Sequence, residues 1–299
     1  MHVFYSDQFV LPLPPGHRFP MEKYARLRER VEAARLVPPE RMHVPERATL
    51  DQLALAHDPL YVGRVVRGEL DARELRELGF PWSEAMVERS LRSTGATIGA
   101  CRSALATGGF AVNLAGGTHH AYRDRADGYC VFNDAAVATR TMIAEGRVRR
   151  AAIVDCDVHQ GDGTAAILAG DPSVFTFSIH GAKNYPFHKQ QSDLDIHLPD
   201  RTGDDDYLAA LAEGLRETLA RAEPELVVYL AGADPYEHDR LGRLALIKDG
   251  LARRDRLVLG ALRGIPTAIA MAGGYARDLA DVVDIHFTTV AIAAELSPA

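Results

Sequence analysis

Six short apolar runs punctuate the chain: Val3–Tyr5, Phe110–Leu114, Ala151–Asp155, Val174–Ser178, Leu226–Leu230 and Thr267–Met271. They are rich in Val, Ile, Leu and Ala and show little polar alternation. This pattern suits strands covered on both faces. Longer segments between them carry a helical spacing of apolar residues: Met21–Leu36, Ser83–Ala106, Asn133–Ala144, Asp204–Ala222, Asp249–Leu262 and Ala276–Ala293. Pro38 and Pro39 stop the first of these, because proline cannot continue a helix. Small residues along the second (Ser93, Gly95, Ala96, Gly99, Ala100) predict close packing against a neighbour. Strands alternating with helices predict an α/β fold, a single domain over residues 1–299 with a largely parallel sheet sandwiched by helices. No repeat, linker or low-complexity stretch divides it.

The polar residues concentrate where these strands should end. The Phe110 run leads into Gly116-Gly117-Thr118-His119-His120 and the Ala151 run into Asp155-Cys156-Asp157-Val158-His159. The Leu226 run leads into Ala231-Gly232-Ala233-Asp234 and the Thr267 run into Gly273-Gly274-Tyr275. Parallel sheets bind ligands outside the carboxyl ends of their strands, so the four loops should meet at one crevice. If residues 155–159 are extended, Asp155, Asp157 and His159 share a face. Asp157 and His159 would be two ligands of a zinc ion. Asp234, at an otherwise apolar strand end where an unpaired carboxylate is costly, is the choice for a third. Three protein ligands leave a position open for water, as catalytic zinc sites require. Each piece has an ordinary explanation: tandem surface histidines, a hydrogen-bonded strand end, an aspartate cap, a packed tyrosine. Four strand ends carrying complementary pieces argue for a site.

Composition narrows the setting. The 299 residues are 47% hydrophobic and 25% charged, which suits an ordinary globular chain. The net charge of −7 argues against a general nucleic-acid binder. No apolar run approaches the roughly 20 residues that cross a bilayer, and Met1–Tyr5 lacks the layout of a signal peptide. The three cysteines, Cys101, Cys130 and Cys156, form no C-x-x-C. Neither a disulfide framework nor a thiolate metal site is expected, and a cytoplasmic setting is the simplest.

With these residues in view, the chain resembles the histone deacetylase family, in particular its bacterial and class IV-like members. The resemblance runs from Gly16-His17-Arg18-Phe19-Pro20 and His57-Asp58-Pro59 through Gly116–Ala121 and Asp127–Asp134 to Asp155–Thr164, Ala231–Asp234, Asp239–Gly242 and Gly273–Tyr275. It implies an arginase/deacetylase-like fold and zinc-dependent hydrolysis of an acetyl-lysine-like amide. One zinc per chain would be held by Asp157, His159 and Asp234. His119 and His120 match the tandem catalytic histidines, with Asp155 and Asp162 as their respective carboxylate partners. Tyr275 matches the tyrosine that polarises the acyl carbonyl.

The resemblance further implies a structural potassium ion at Asp155, Asp157, His159, Ser178 and Ile179, and a second at Leu168, Asp171, Val174 and Tyr207. Gly128, Tyr129, Phe187, Gly273 and Gly274 would line the substrate channel, with Phe187 opposite Tyr129. His159-Gln160-Gly161 stands where His-His-Gly is commoner, and Tyr129 where phenylalanine is usual. Both changes touch pocket shape rather than chemistry. His180 is read at the rim, His17 and His57 as structural, and Cys156 as core packing.

The expected partner is an acetylated lysine-like substrate, whether protein, peptide or small molecule. Acetylpolyamines and longer acyl-lysines are alternatives, and oligomeric state is not legible. A binuclear manganese hydrolase of the arginase type would need acids where His119 and His120 stand. A non-catalytic acyl or metal sensor would be expected to lack Tyr275 or His120.

Overall fold

The computed structural model describes residues 1–297. Eight strands form one sheet: β1 (His2–Phe4), β2 (Met42–His43), β3 (Phe110–Asn113), β4 (Ala151–Asp155), β5 (Val174–Gly181), β6 (Leu194–Leu198), β7 (Leu226–Leu230) and β8 (Thr267–Ala270). Their order is β2-β1-β3-β8-β7-β4-β5-β6, and every pairing is parallel. The four strands whose ends carry the candidate chemistry, β3, β8, β7 and β4, are therefore adjacent at the centre.

Alternate residues of each strand feed two apolar layers. Val112, Val154, Tyr229 and Ile269 pack on one face, beneath α1 (Glu22–Ala33), α8 (Asp204–Ala222), α9 (Lys248–Ala261) and α10 (Leu279–Leu296). Ala111, Ile153, Val228 and Ala268 pack on the other. That layer lies against α2 (Leu50–Ala54), α3 (Pro59–Arg67), α4 (Ala72–Leu78), α5 (Glu84–Thr107), α6 (Asp134–Ala144) and α7 (Asp162–Leu168). Burial on both faces explains why the central strands read as continuous apolar runs.

All six predicted strands and all six predicted helices are present, with small shifts at their ends. β2 and β6 are additions at the sheet edges: β2 has two residues, and β6 (Leu-Asp-Ile-His-Leu) alternates polar and apolar residues. Helix α10 begins three residues later than expected. Asp278 accepts from the Ala280 amide as its N-cap, which leaves Ala276 to pair with Asp239 beside the Gly-Gly-Tyr loop. The close packing foreseen for α5 is real, since a Cβ on Gly95 would stand 1.9 Å from the Glu46 carbonyl oxygen. Among the described residues, no helix is long and apolar enough to cross a membrane.

Candidate active site

The loop after β4 reaches its geometry by a different route from the one expected. The strand stops at Asp155. Asp155 Oδ1 then accepts from the Asp157 amide, and Asp157 Oδ1 from the His159 amide, both at 3.0 Å. These local turns, rather than strand alternation, separate the roles. Asp155 turns to His119, while Asp157 and His159 turn to Asp234.

Ligand-type atoms of Asp157, His159 and Asp234 all lie within 4.8 Å of one another, and all three residues are buried. Asp157 Oδ2 accepts from the Gly273 amide at 2.8 Å, and Asp234 Oδ1 from the Val158 amide at 2.9 Å. Asp234 Oδ2 is buried without a hydrogen-bond donor, 3.4 Å from His159 Nδ1. Glycine is required at 273, where a Cβ would meet that oxygen at 2.0 Å. A buried carboxylate oxygen without a partner is costly. Burial, then the charge of Asp157, push the Asp234 pKa up to about 7. Against its own burial, His159 is raised to about 10 by Asp157 and Asp234. The cluster thus recruits positive charge, and an orphaned oxygen with an Asp₂His donor set fits a divalent cation.

Two histidine–carboxylate pairs stand beside it. His119 Nδ1 meets Asp155 Oδ2 at 2.6 Å, and His120 Nδ1 meets Asp162 Oδ1 at 2.6 Å. Burial alone would depress His119, yet Asp155 and Asp157 raise it to about 9. Burial and the neighbouring His119 lower His120 to about 4, although Asp162 opposes this. The adjacent imidazoles are therefore pushed apart, one towards the cation and one towards the neutral base. Tyr275 lines the same cavity, of about 680 Å³. Burial, first among the causes, keeps its phenol protonated far above neutral pH.

Residues to which the sequence reading gave no role hold these groups. Asp134 accepts from the Thr97 and Thr118 hydroxyls and from the amides of Gly117 and Thr118, fixing the turn before His119. The Tyr122 hydroxyl donates to Asp162 Oδ2 at 2.8 Å. Arg254, fully buried on α9, donates to the carbonyls of Cys156 and Gly232 and pairs with Asp255, so it ties the β4 and β7 loops together. Its one sequence signal is a charged residue on the apolar side of a helix.

His57 holds the same region. Its Nε2 accepts from the Asn133 amide, so its Nδ1–H donates to the Tyr122 carbonyl. Burial lowers its pKa to about 4. Between this value and the ordinary 6.5 the unfolded chain binds the extra proton, so stability is lost as pH falls through that window. The full loss is about 3 kcal/mol. Denaturant titrations should show a shallower pH slope between 6.5 and 4 for His57→Asn than for the wild type; equal slopes would contradict the neutral, buried state.

Gly128, Tyr129, Gly273 and Phe187 line the cavity; Gly274 lies behind it, against Val282 and Ala233. Phe187 stands at the mouth, 83% exposed, whereas Tyr185 packs edge-on to His120 at 5.0 Å. Tyr185 was not singled out by the sequence, because one tyrosine in a polar loop carries no signal. The structure moves His180 from the rim to the interior, bonded to Ser178 and His197, since β5 continues three residues beyond Ser178. Cys156 is buried in the apolar layer, as expected. Asp155 and Ser178 are register partners on β4 and β5, with Ile179 next in line. Leu168, Asp171 and Val174 follow one another through successive turns, the Asp171 amide donating to the Leu168 carbonyl and the Val174 amide to the Asp171 carbonyl, while Tyr207 stands on α8.

A histone deacetylase domain matches residues 17–290. An uncharacterised protein of Picosynechococcus is 44% identical over 95% of both chains. The acetoin utilization protein AcuC of Bacillus subtilis is 31% identical over 67% of this chain and 57% of its own. Histone deacetylase 2 of Arabidopsis thaliana is 28% identical over 94% of this chain and 76% of its own. The crystal structure of a histone deacetylase homologue from Aquifex aeolicus superposes with a TM-score of 0.84 at 22% identity, covering 98% of this chain and 84% of that one, which shows a shared fold. The chain belongs to the histone deacetylase domain family.

Proposed function

We propose that this protein is a zinc-dependent deacylase that hydrolyses an acetyl-lysine-like amide. Family membership supports amide deacetylation. The observation that carries the zinc reading is the convergence of Asp157, His159 and Asp234, with an unpartnered Asp234 oxygen, beside two histidine–carboxylate pairs. Asp157, His159 and Asp234 would hold zinc, which when bound acidifies a water and polarises an acyl carbonyl.

The chain's own groups divide the remaining work. Asp162 occupies His120 Nδ1, so Nε2 is the atom that takes the water proton. Tyr275 donates a hydrogen bond to the oxygen that gains charge as the amide carbon becomes tetrahedral. His119, with Asp155 on its Nδ1, acts as an electrostatic partner. His120 then returns its proton to the departing amine. A structural potassium ion would sit beside Asp155, Ser178 and Ile179, where β4 ends alongside β5. The arginase-type alternative is disfavoured: His119 and His120 stand beside the triad, and the described residues contain one converging group of metal-capable side chains.

The test pairs metal analysis with a panel of acetyl-lysine, longer acyl-lysine and acetylpolyamine substrates. One zinc per chain and hydrolysis of an acyl-lysine are expected. Two manganese ions per chain, or metal-loaded protein inert to every acyl amide, would overturn the reading.

A further inference from the structure

The chain carries a net charge of −7, yet the mouth of its cavity is cationic. Arg76 from α4, Lys183 from the loop after β5, and Arg240 and Arg243 from the loop after β7 all line it, and all four are exposed. Arg240 is anchored next to the candidate oxyanion donor, its Nε donating to the Tyr275 carbonyl at 3.0 Å. Arg243 is held by Asp200 at 2.5 Å. Among the described residues Arg76, Lys183 and Arg240 have no salt-bridge partner within 4.0 Å.

The acids at the mouth do not offset these cations. Glu77 is engaged by Arg73 at 2.8 Å. Asp127 is half-buried beside Tyr185, one carboxylate against the three unpaired cations. The remaining carboxylates of the cavity, Asp157 and Asp234, belong to the deep metal-type cluster. A single-sign collar around a concave, partly apolar cavity focuses its field on whatever enters.

We propose that this collar selects acyl amides whose amine half bears a carboxylate or other anionic group, and disfavours basic peptides and acylpolyamines. The inference rests on the amide-hydrolysis reading and narrows its substrate class. The acyl group enters the channel, while the anionic group of the same molecule stays at the mouth among Arg76, Lys183 and Arg240. A cationic substrate would have to approach the same three cations with Asp127 alone to receive it.

Two matched pairs of substrates test this on the metal-loaded protein. One pair is an acetyl-lysine peptide flanked by aspartates and the same peptide flanked by arginines. The other is free Nε-acetyl-lysine and its carboxamide, which separates a small carboxylate from an acidic peptide. The acidic member of at least one pair should show a kcat/KM about tenfold higher at low salt, as two or three exposed charge contacts allow. That ratio should collapse towards one near 1 M salt, where the screening length is about 3 Å. In Arg76→Glu/Lys183→Glu the preference should reverse; the conservative pair Arg76→Gln/Lys183→Gln, which leaves Arg240 in place, should weaken it without reversing it, with thermal unfolding unchanged in both.

Equal rates within both pairs, a preference for the basic members, or an acidic preference untouched by the rim variants would each overturn the proposal while leaving amide hydrolysis standing. Failure to hydrolyse any of the four substrates, or any acyl amide of the wider panel, would instead overturn the underlying reading.

Discussion

Asp234→Asn should strip the protein of zinc and lower kcat by roughly 10³-fold or more, since a metal Lewis acid supplies several kcal/mol to such a reaction. The variant keeps the shape of the side chain and an oxygen that can accept from the Val158 amide, as Asp234 Oδ1 does. What disappears is the negative charge on Oδ2, the buried oxygen without a donor. Ordinary loss of a salt bridge or core contact would destabilise the fold. Here the sign is opposite once the metal is removed.

In the metal-free cleft the Asp234 pKa is raised to about 7, first by burial and then by Asp157. A raised folded-state value favours the protonated form, so its stabilising contribution is lost as pH rises from the ordinary carboxylate range through about 7. Asparagine stays neutral throughout. Metal-stripped Asp234→Asn should therefore unfold at a temperature equal to or above that of metal-stripped wild type at pH 8, while metal-loaded wild type gains stability through binding. Retained zinc in the purified variant would remove Asp234 from the ligand set. A metal-free variant less stable than metal-free wild type would contradict the electrostatic account.

The residues that sequence reading could assign are those whose chemistry is conspicuous on an apolar background. Asp234 follows a run of buried aliphatics, and Asp155, Asp157 and His159 end another, so the strand ends announced themselves. Strands β3, β4, β5, β7 and β8 were legible because burial on both faces leaves largely apolar runs. The edge strand β6 was not, because its outward positions are polar and its pattern overlaps with that of a loop. The short helices α2, α3, α4 and α7 have five to nine residues each and give too few turns for a clear period.

Less conspicuous are the groups that act through others. Asp134 looks like the start of helix α6, yet its carboxylate organises the turn ahead of the tandem histidines from sixteen residues or more away. Tyr122 and Arg254 reach their partners across the fold, at Asp162 and at the Cys156 and Gly232 carbonyls. No local pattern encodes such contacts. The collar of Arg76, Lys183, Arg240 and Arg243 is hidden for the same reason, because one helix and two separate loops supply it to a chain that is acidic as a whole.

Tyr275→Phe should lower kcat by about 10²–10³, the usual loss when one oxyanion donor is removed. Its backbone supports should survive the change: the Tyr275 amide donates to Asp239 Oδ2 at 2.6 Å, and its carbonyl accepts from Arg240. The ring packs near Phe19 and Tyr129, with the Lys23 ammonium 5.5 Å from its centroid. Phenylalanine can keep all of these contacts, so fold and zinc content should match the wild type. Burial keeps the wild-type phenol protonated across any practical assay range, so the ratio of wild-type to variant activity should not fall at high pH through loss of that proton. Because a hydrogen bond to a developing oxyanion is stronger than one to the ground-state carbonyl, the loss should fall on kcat more than on KM. A variant with unchanged kcat, or one whose defect lies wholly in KM, would move Tyr275 from oxyanion stabilisation to simple lining of the channel.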